Sequence, residues 1–118
     1  MPRRRPGSLL PLEVEILSAC LEAGEAGSHG FALAKAIADA GDSRELTATG
    51  TMYRALHRLD AADLVESWWE DPDQAVEQGR PRRRLYRITG EGRASLAAHT
   101  SDAADLGRSV ELRPGFST

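Results

Sequence analysis

The chemistry this chain is best equipped for is carried by arginine. Arg80, Arg82, Arg83, Arg84 and Arg87 put five guanidinium groups into eight positions, a density suited to phosphate oxygens, which planar guanidinium forks meet with paired hydrogen bonds. The bland alternative is an internal set of ion pairs with Glu70, Asp71, Asp73 and Glu77 just upstream. Exposed ion pairs are worth only about 0 to 1 kcal/mol each, so phosphates could displace those acids at little loss. A second set lies earlier. Thr51, Arg54, His57 and Arg58, beside Tyr53, recur at helical spacing opposite Met52, Leu56 and Leu59, and offer donors to base edges and phosphates in a major groove. A solvated amphipathic helix would show the same pattern, so its neighbours must decide.

Catalytic constellations are missing by comparison. His29, His57 and His99 are too dispersed to read as a metal set, and no nucleophile elbow, phosphate loop or zinc spacing occurs. No enzyme activity, cofactor or metal is expected. Cys20 is the single cysteine, which rules out an internal disulfide and fits a small core residue in a reducing compartment.

The formal net charge of −3 conceals a segregation, since residues 80–87 contribute +5 and residues 70–77 contribute −4; the local field matters more than the sum. A length of 118 residues implies one domain. With 5% aromatic residues and many alanines, one copy buries little apolar area, so a subunit interface that enlarges the core is expected. Met1–Ser8 carries the charge of a signal-peptide start, but Pro11, Glu13 and Glu15 break the apolar stretch behind it. Neither secretion nor membrane insertion is indicated, and the cytoplasm is the expected location.

The elements that must position these side chains follow from periodicity. After a flexible basic arm (1–8), Pro11 suits the first turn of a helix carrying Leu12, Ile16, Leu17, Cys20 and Leu21, ended by Gly24 and Gly27. Ser28 is the expected N-cap of a second helix with Phe31, Leu33, Ala34, Ile37 and Ala38 as its apolar stripe, closed by Gly41. A polar loop, Asp42 to Leu46, leads to the third helix, which starts near Thr47 or Thr49. Val65 to Trp69 and the stretch ending at Ile88 read as strands joined by a long acidic loop with Asp71, Pro72, Asp73 and Gly79. By parity Tyr86 and Ile88 face the core, with Arg83, Leu85 and Arg87 opposite. Thr89 caps a fourth helix with Glu91 in its first turn and an alanine-rich face bearing Leu96 and Leu106. A disordered tail, 111–118, ends the chain. The result is a mainly α fold with a small two-stranded β-wing, the layout of a winged helix-turn-helix, with domain bounds 9–92 and a C-terminal helix at 93–110.

Four stretches then resemble the PadR-like family of bacterial transcription regulators: LEVEIL, HGFALAKAI, GTMYRALHRL and GRPRRRLYRITGEGRASL. The resemblance spans about Leu9 to Leu96. It implies a winged-helix domain dimerised through its terminal helices, a repressor that as a homodimer meets a double-stranded, pseudo-palindromic operator, and induction by a small-molecule effector that alters the dimer. Taken with the outward face of the third helix and the arginine run, it leads to DNA contact at Thr49, Gly50, Thr51, Tyr53, Arg54, His57, Arg58, Arg80, Arg82, Arg83 and Arg84, and, taken with the alanine-rich face of the fourth helix, to a dimer interface at Leu10, Ile16, Leu96 and Leu106. Tyr53, which pattern alone leaves open between core and surface, is turned toward the DNA backbone by the resemblance. Of the adjacent Trp68 and Trp69, which must point to opposite faces, the resemblance and the parity with Val65 place Trp69 in the core and leave Trp68 more exposed, open between an effector pocket, a dimer contact, a DNA-flanking surface and plain packing under the long loop. The chain departs from the pattern at Asp63, where a turn glycine is usual, at Phe31, which replaces a tyrosine, and in the length of the acidic loop. The rival from another class is a protein-binding module that uses Glu70 to Glu77.

Overall fold

A computed structural model describes residues 9–41 and 46–111, with side chains through Ser101. The basic arm, the tail from residue 112 and most of the loop after Gly41 lie outside the described residues. The order is α1 (Pro11–Ala23), a 3-10 turn (Gly24–Ala26), β1 (Ser28–His29), α2 (Gly30–Ala40), α3 (Thr49–Ala61), β2 (Val65–Trp69), α4 (Pro72–Glu77), β3 (Arg84–Ile88) and α5 (Gly90–Glu111).

Helix α1 begins where Pro11 can lose its N–H without cost. It buries Glu13, Ile16, Leu17 and Cys20, one stripe at helical spacing, and Gly24 takes a φ of 75° just past its end. That stripe packs with Leu33 and Ala34 of α2, Met52, Ala55, Leu56 and Leu59 of α3, Val65, Tyr86 and Ile88 of the sheet, and Leu96 of α5. The Cys20 thiol is pushed up to about 11 by burial, so it is a packing group with no reactive thiolate near neutrality. The expected inward parity of Tyr86 and Ile88 is the observed one.

Several local expectations are corrected. The sheet has three strands in the order β1-β3-β2, all antiparallel. The extra strand arises because the chain entering α2 is extended and lies along β3, with Ser28 opposite Tyr86. Ser28 therefore does not cap α2; His29 does, its Nδ1 accepting the Ala32 N–H at 3.2 Å. Burial, with Arg83 and Arg80 nearby, lowers the His29 pKa, which favours the neutral ring that this cap requires. Phe31 is 63% exposed and is no part of the apolar stripe.

The acidic segment is not simply a loop. Asp71 accepts the Asp73 N–H at 2.9 Å and Pro72 follows as the first helical residue, so ordinary capping grammar folds residues 72–77 into α4 and buries Ala75. The turn before β2 explains the missing glycine. Asp63 holds a φ of 64°, a left-handed conformation that Asp tolerates better than most residues, and its carbonyl accepts the Thr89 hydroxyl at 2.6 Å. Thr89 in turn accepts the Gly92 N–H at 2.9 Å, so it caps α5 as expected and ties that helix to the start of β2.

Candidate nucleic-acid interface

Helix α3 divides cleanly into two faces. Met52, Ala55, Leu56 and Leu59 are buried, which drives Thr51, Tyr53, Arg54, His57 and Arg58 outward, all of them exposed. Tyr53, left open by the pattern, is half exposed. Thr49 and Gly50 form the exposed first turn, and the N-cap Ala48 makes no side-chain cap hydrogen bond. The Arg54 guanidinium donates to Thr51 Oγ1 at 3.3 Å, a weak contact readily exchanged for a ligand. Arg58 is held differently: its Nε donates to Glu13 Oε2 at 3.2 Å, and Glu13, fully buried, also accepts the Leu10 N–H at 3.0 Å.

Four of the five wing arginines fall into two groups, and Arg83 lines a groove beside them. Arg80 forms a bidentate pair with Glu70 at 2.6 and 2.7 Å, and that pair, with the Arg83 N–H at 3.3 Å, holds the Glu70 carboxyl down at about 2. Here the internal ion pair accounts for the arginine, and Arg80 braces the turn after α4. Arg87 is similarly engaged by Glu66 at 2.6 Å and Glu25 at 3.4 Å. Arg82 and Arg84 instead stack on Trp69, each guanidinium carbon 5.3 Å from its ring centroid. Arg84 also donates to Ser67 Oγ at 2.9 Å, and that hydroxyl donates to Asp60 Oδ2 on α3 at 2.7 Å.

The two tryptophans exchange the roles expected of them. Trp69 is 53% exposed, because the end of the sheet that pairs Val65 with Ile88 covers the core while the end that pairs Trp69 with Arg84 projects beyond it; strand parity assigns a face, and burial also requires something on that face. Trp68 is half-buried. Its ring lies under Arg87 at 5.0 Å and against Gly27, where a Cβ would fall 2.7 Å from Cη2 and where φ is 78°. Trp68 therefore packs against the body of the protomer, the packing alternative that the sequence left open beside a ligand contact.

Two adjoining grooves gather the outward residues. One, of about 590 Å³, is lined by Tyr53, Arg54, His57, Arg58, Asp60, Arg84 and Tyr86. The other, of about 660 Å³, is lined by His29, Gly30, Phe31, Tyr53, Trp69, Arg82, Arg83, Arg84 and Tyr86. They share Tyr53, Arg84 and Tyr86, so α3 and the wing present one continuous surface. Sequence reasoning missed His29, Phe31 and Trp69 in it. Their signal was exposure, which no periodicity reports. Of the residues expected at a dimer interface, Leu10 is 45% exposed, whereas Ile16 and Leu96 are buried in the protomer's own core, where α1 and α5 pack them inward against α3 and the sheet. Leu106 lies in α5, with its side chain outside the described residues.

Comparison with known proteins agrees with this geometry. The model of the transcriptional regulator PadR-like family matches residues 19–98. The transcriptional regulator Rv3488 of Mycobacterium tuberculosis is 43% identical over 61 residues, which are 52% of this chain and 51% of that protein, so the match spans about half of the relative's length. Among solved structures, a PadR-like transcription factor from Bacteroides fragilis has a TM-score of 0.67 at 25% identity, over 85% of this chain and 86% of the other. A transcriptional regulator from Clostridium thermocellum has a TM-score of 0.65 at 25% identity, over 84% of both chains.

Proposed function

Because the chain belongs to the PadR-like family of transcriptional regulators, we propose that it acts as a homodimeric repressor that lays α3 of each protomer in successive major grooves of a pseudo-palindromic operator. A two-fold protein reads a two-fold site, so half-site spacing follows from the separation of the two helices. Thr51, Arg54 and His57 supply base contacts. Arg82, Arg83 and Arg84 supply phosphate contacts, with Arg58 tethered at the edge and Arg80 bracing the wing. Repression is steric, relieved when a small-molecule effector changes the geometry of the dimer. No described helix is long and apolar enough to cross a membrane, and the cytoplasm is the location this role requires.

The observation that carries the reading is the continuous surface on which Tyr53, Arg84 and Tyr86 join the outward face of α3 to the wing arginines. The rival reading, a protein-binding module built on the acidic segment, loses support because Glu70 is engaged by Arg80 and Asp71 caps α4. A gel shift against the DNA upstream of the chain's own gene decides between them. Specific, competitor-resistant binding is expected, and its absence would favour the protein-binding module.

A further inference from the structure

Trp69 is a large apolar residue left half in solvent at the end of β2, with Arg82 and Arg84 both 5.3 Å from its ring centroid. A free arginine samples many rotamers and loses that freedom when it grips a phosphate. An arginine already resting on an aromatic face has lost part of it. Arg84 is further fixed by Ser67, which is fixed by Asp60 near the end of α3. A chain of contacts therefore runs from α3 through Asp60, Ser67, Arg84 and the Trp69 ring to Arg82.

We propose that Trp69 is a positioning residue for nucleic-acid binding: its π face holds Arg82 and Arg84 at a set distance from the outward face of α3, so that wing and helix meet the same DNA backbone in register. This rests on the DNA-binding reading above. The exposed ring is explained by the role, because a buried one could not present two guanidinium groups to a ligand. Among the described residues, no acid pairs with Arg82 or Arg84 in the way that Glu70 pairs with Arg80 and Glu66 with Arg87; both rest on the ring.

The test compares Trp69→Leu, which keeps apolar bulk without a π face, with Trp69→Phe, which keeps a smaller one. Fluorescence-anisotropy titrations of the full chain on its upstream duplex and on a random duplex, at several salt concentrations, give affinity and salt slope. Trp69→Leu should weaken binding to both duplexes roughly tenfold and flatten the slope by about one to two units, and Trp69→Phe should restore most of the loss. Leucine and wild-type proteins with equal affinity and slope would overturn the proposal while leaving DNA binding intact; a wild-type chain that binds neither duplex would overturn both readings. Should the leucine variant fold poorly, Trp68→Phe leaves Trp69 as the sole tryptophan emitter. Its emission should change when DNA is added, and unchanged emission at saturating DNA would count against the proposal.

Discussion

The carboxylate of Glu13, fully buried on α1, accepts a hydrogen bond from Arg58 Nε on the outward side of α3 at 3.2 Å. The contact joins residues 45 positions apart and pins α3 to the first helix from within the fold. In a dimer that uses α1, any shift of that helix would be felt at Arg58 directly, which gives effector-driven change a physical route to the proposed reading head.

Arg58→Ala should therefore act on stability as well as on DNA. Removing one partner of a buried carboxylate costs about 1–3 kcal/mol, to be read from urea denaturation. Double-mutant analysis with Glu13→Gln should show non-additivity, as expected for residues in direct contact.

Acid should loosen the wing. The Glu70 carboxyl is held at about 2, below its ordinary 4.5, chiefly by the Arg80 hydrogen bonds. A depressed carboxylate contributes stability that is present above about 4.5 and is lost as pH falls toward 2. His29, whose pKa is lowered, adds a second contribution of the same sign, present above its ordinary value of 6.5 and weakened as pH drops below it. Melting temperature measured against pH should fall on acidification, and Glu70→Gln should remove the part between about 4.5 and 2.

Helices α1, α2, α3 and α5, the outward set on α3 and the inward parity of β3 were legible because each is written in periodicity against a core. What escaped was set by tertiary surroundings. Val65 and Trp69 share a strand face, yet only Val65 has helices over it. Phe31 falls in an apolar stripe by spacing, but lies on the rim where α2 meets the groove. The burial of Ile16 and Leu96 within the protomer is likewise tertiary, since sequence cannot distinguish a protomer's core from an interface. The buried Glu13 was invisible for the converse reason, since its partner lies on another helix. By contrast α4 was readable in principle: Asp71 and Pro72 are an N-cap followed by a first-turn proline.

The division among the wing arginines is directly measurable. Arg83→Ala combined with Arg84→Ala should flatten the salt dependence of DNA binding by about 0.9 unit for each phosphate that is no longer neutralised, on specific and random duplexes alike. Arg80→Ala should leave the slope near the wild-type value while lowering thermal stability, because its guanidinium is committed to Glu70.

Leu96→Ala should destabilise the protomer by about 2–5 kcal/mol, the usual cost of emptying a core leucine site, since Leu96 is only 9% exposed within one chain. Sedimentation of the wild type should give a dimer, and Leu10→Asp, at a side chain 45% exposed, should shift the equilibrium toward monomer with little change in secondary structure by circular dichroism.

The most direct test of DNA reading by α3 is a competitive titration of wild type and Arg54→Ala on the upstream operator and on random DNA, followed by binding-site selection with both. Arg54 stands on the exposed face of α3, where among the described residues it donates to Thr51 at 3.3 Å. The wild type should prefer its operator strongly over random sequence. Arg54→Ala should lose about 1–3 kcal/mol on the operator and much less on random DNA, with selectivity relaxed at one base pair in each half-site. A wild type with no preference for its operator, together with an equal loss on every sequence in the variant, would contradict the account.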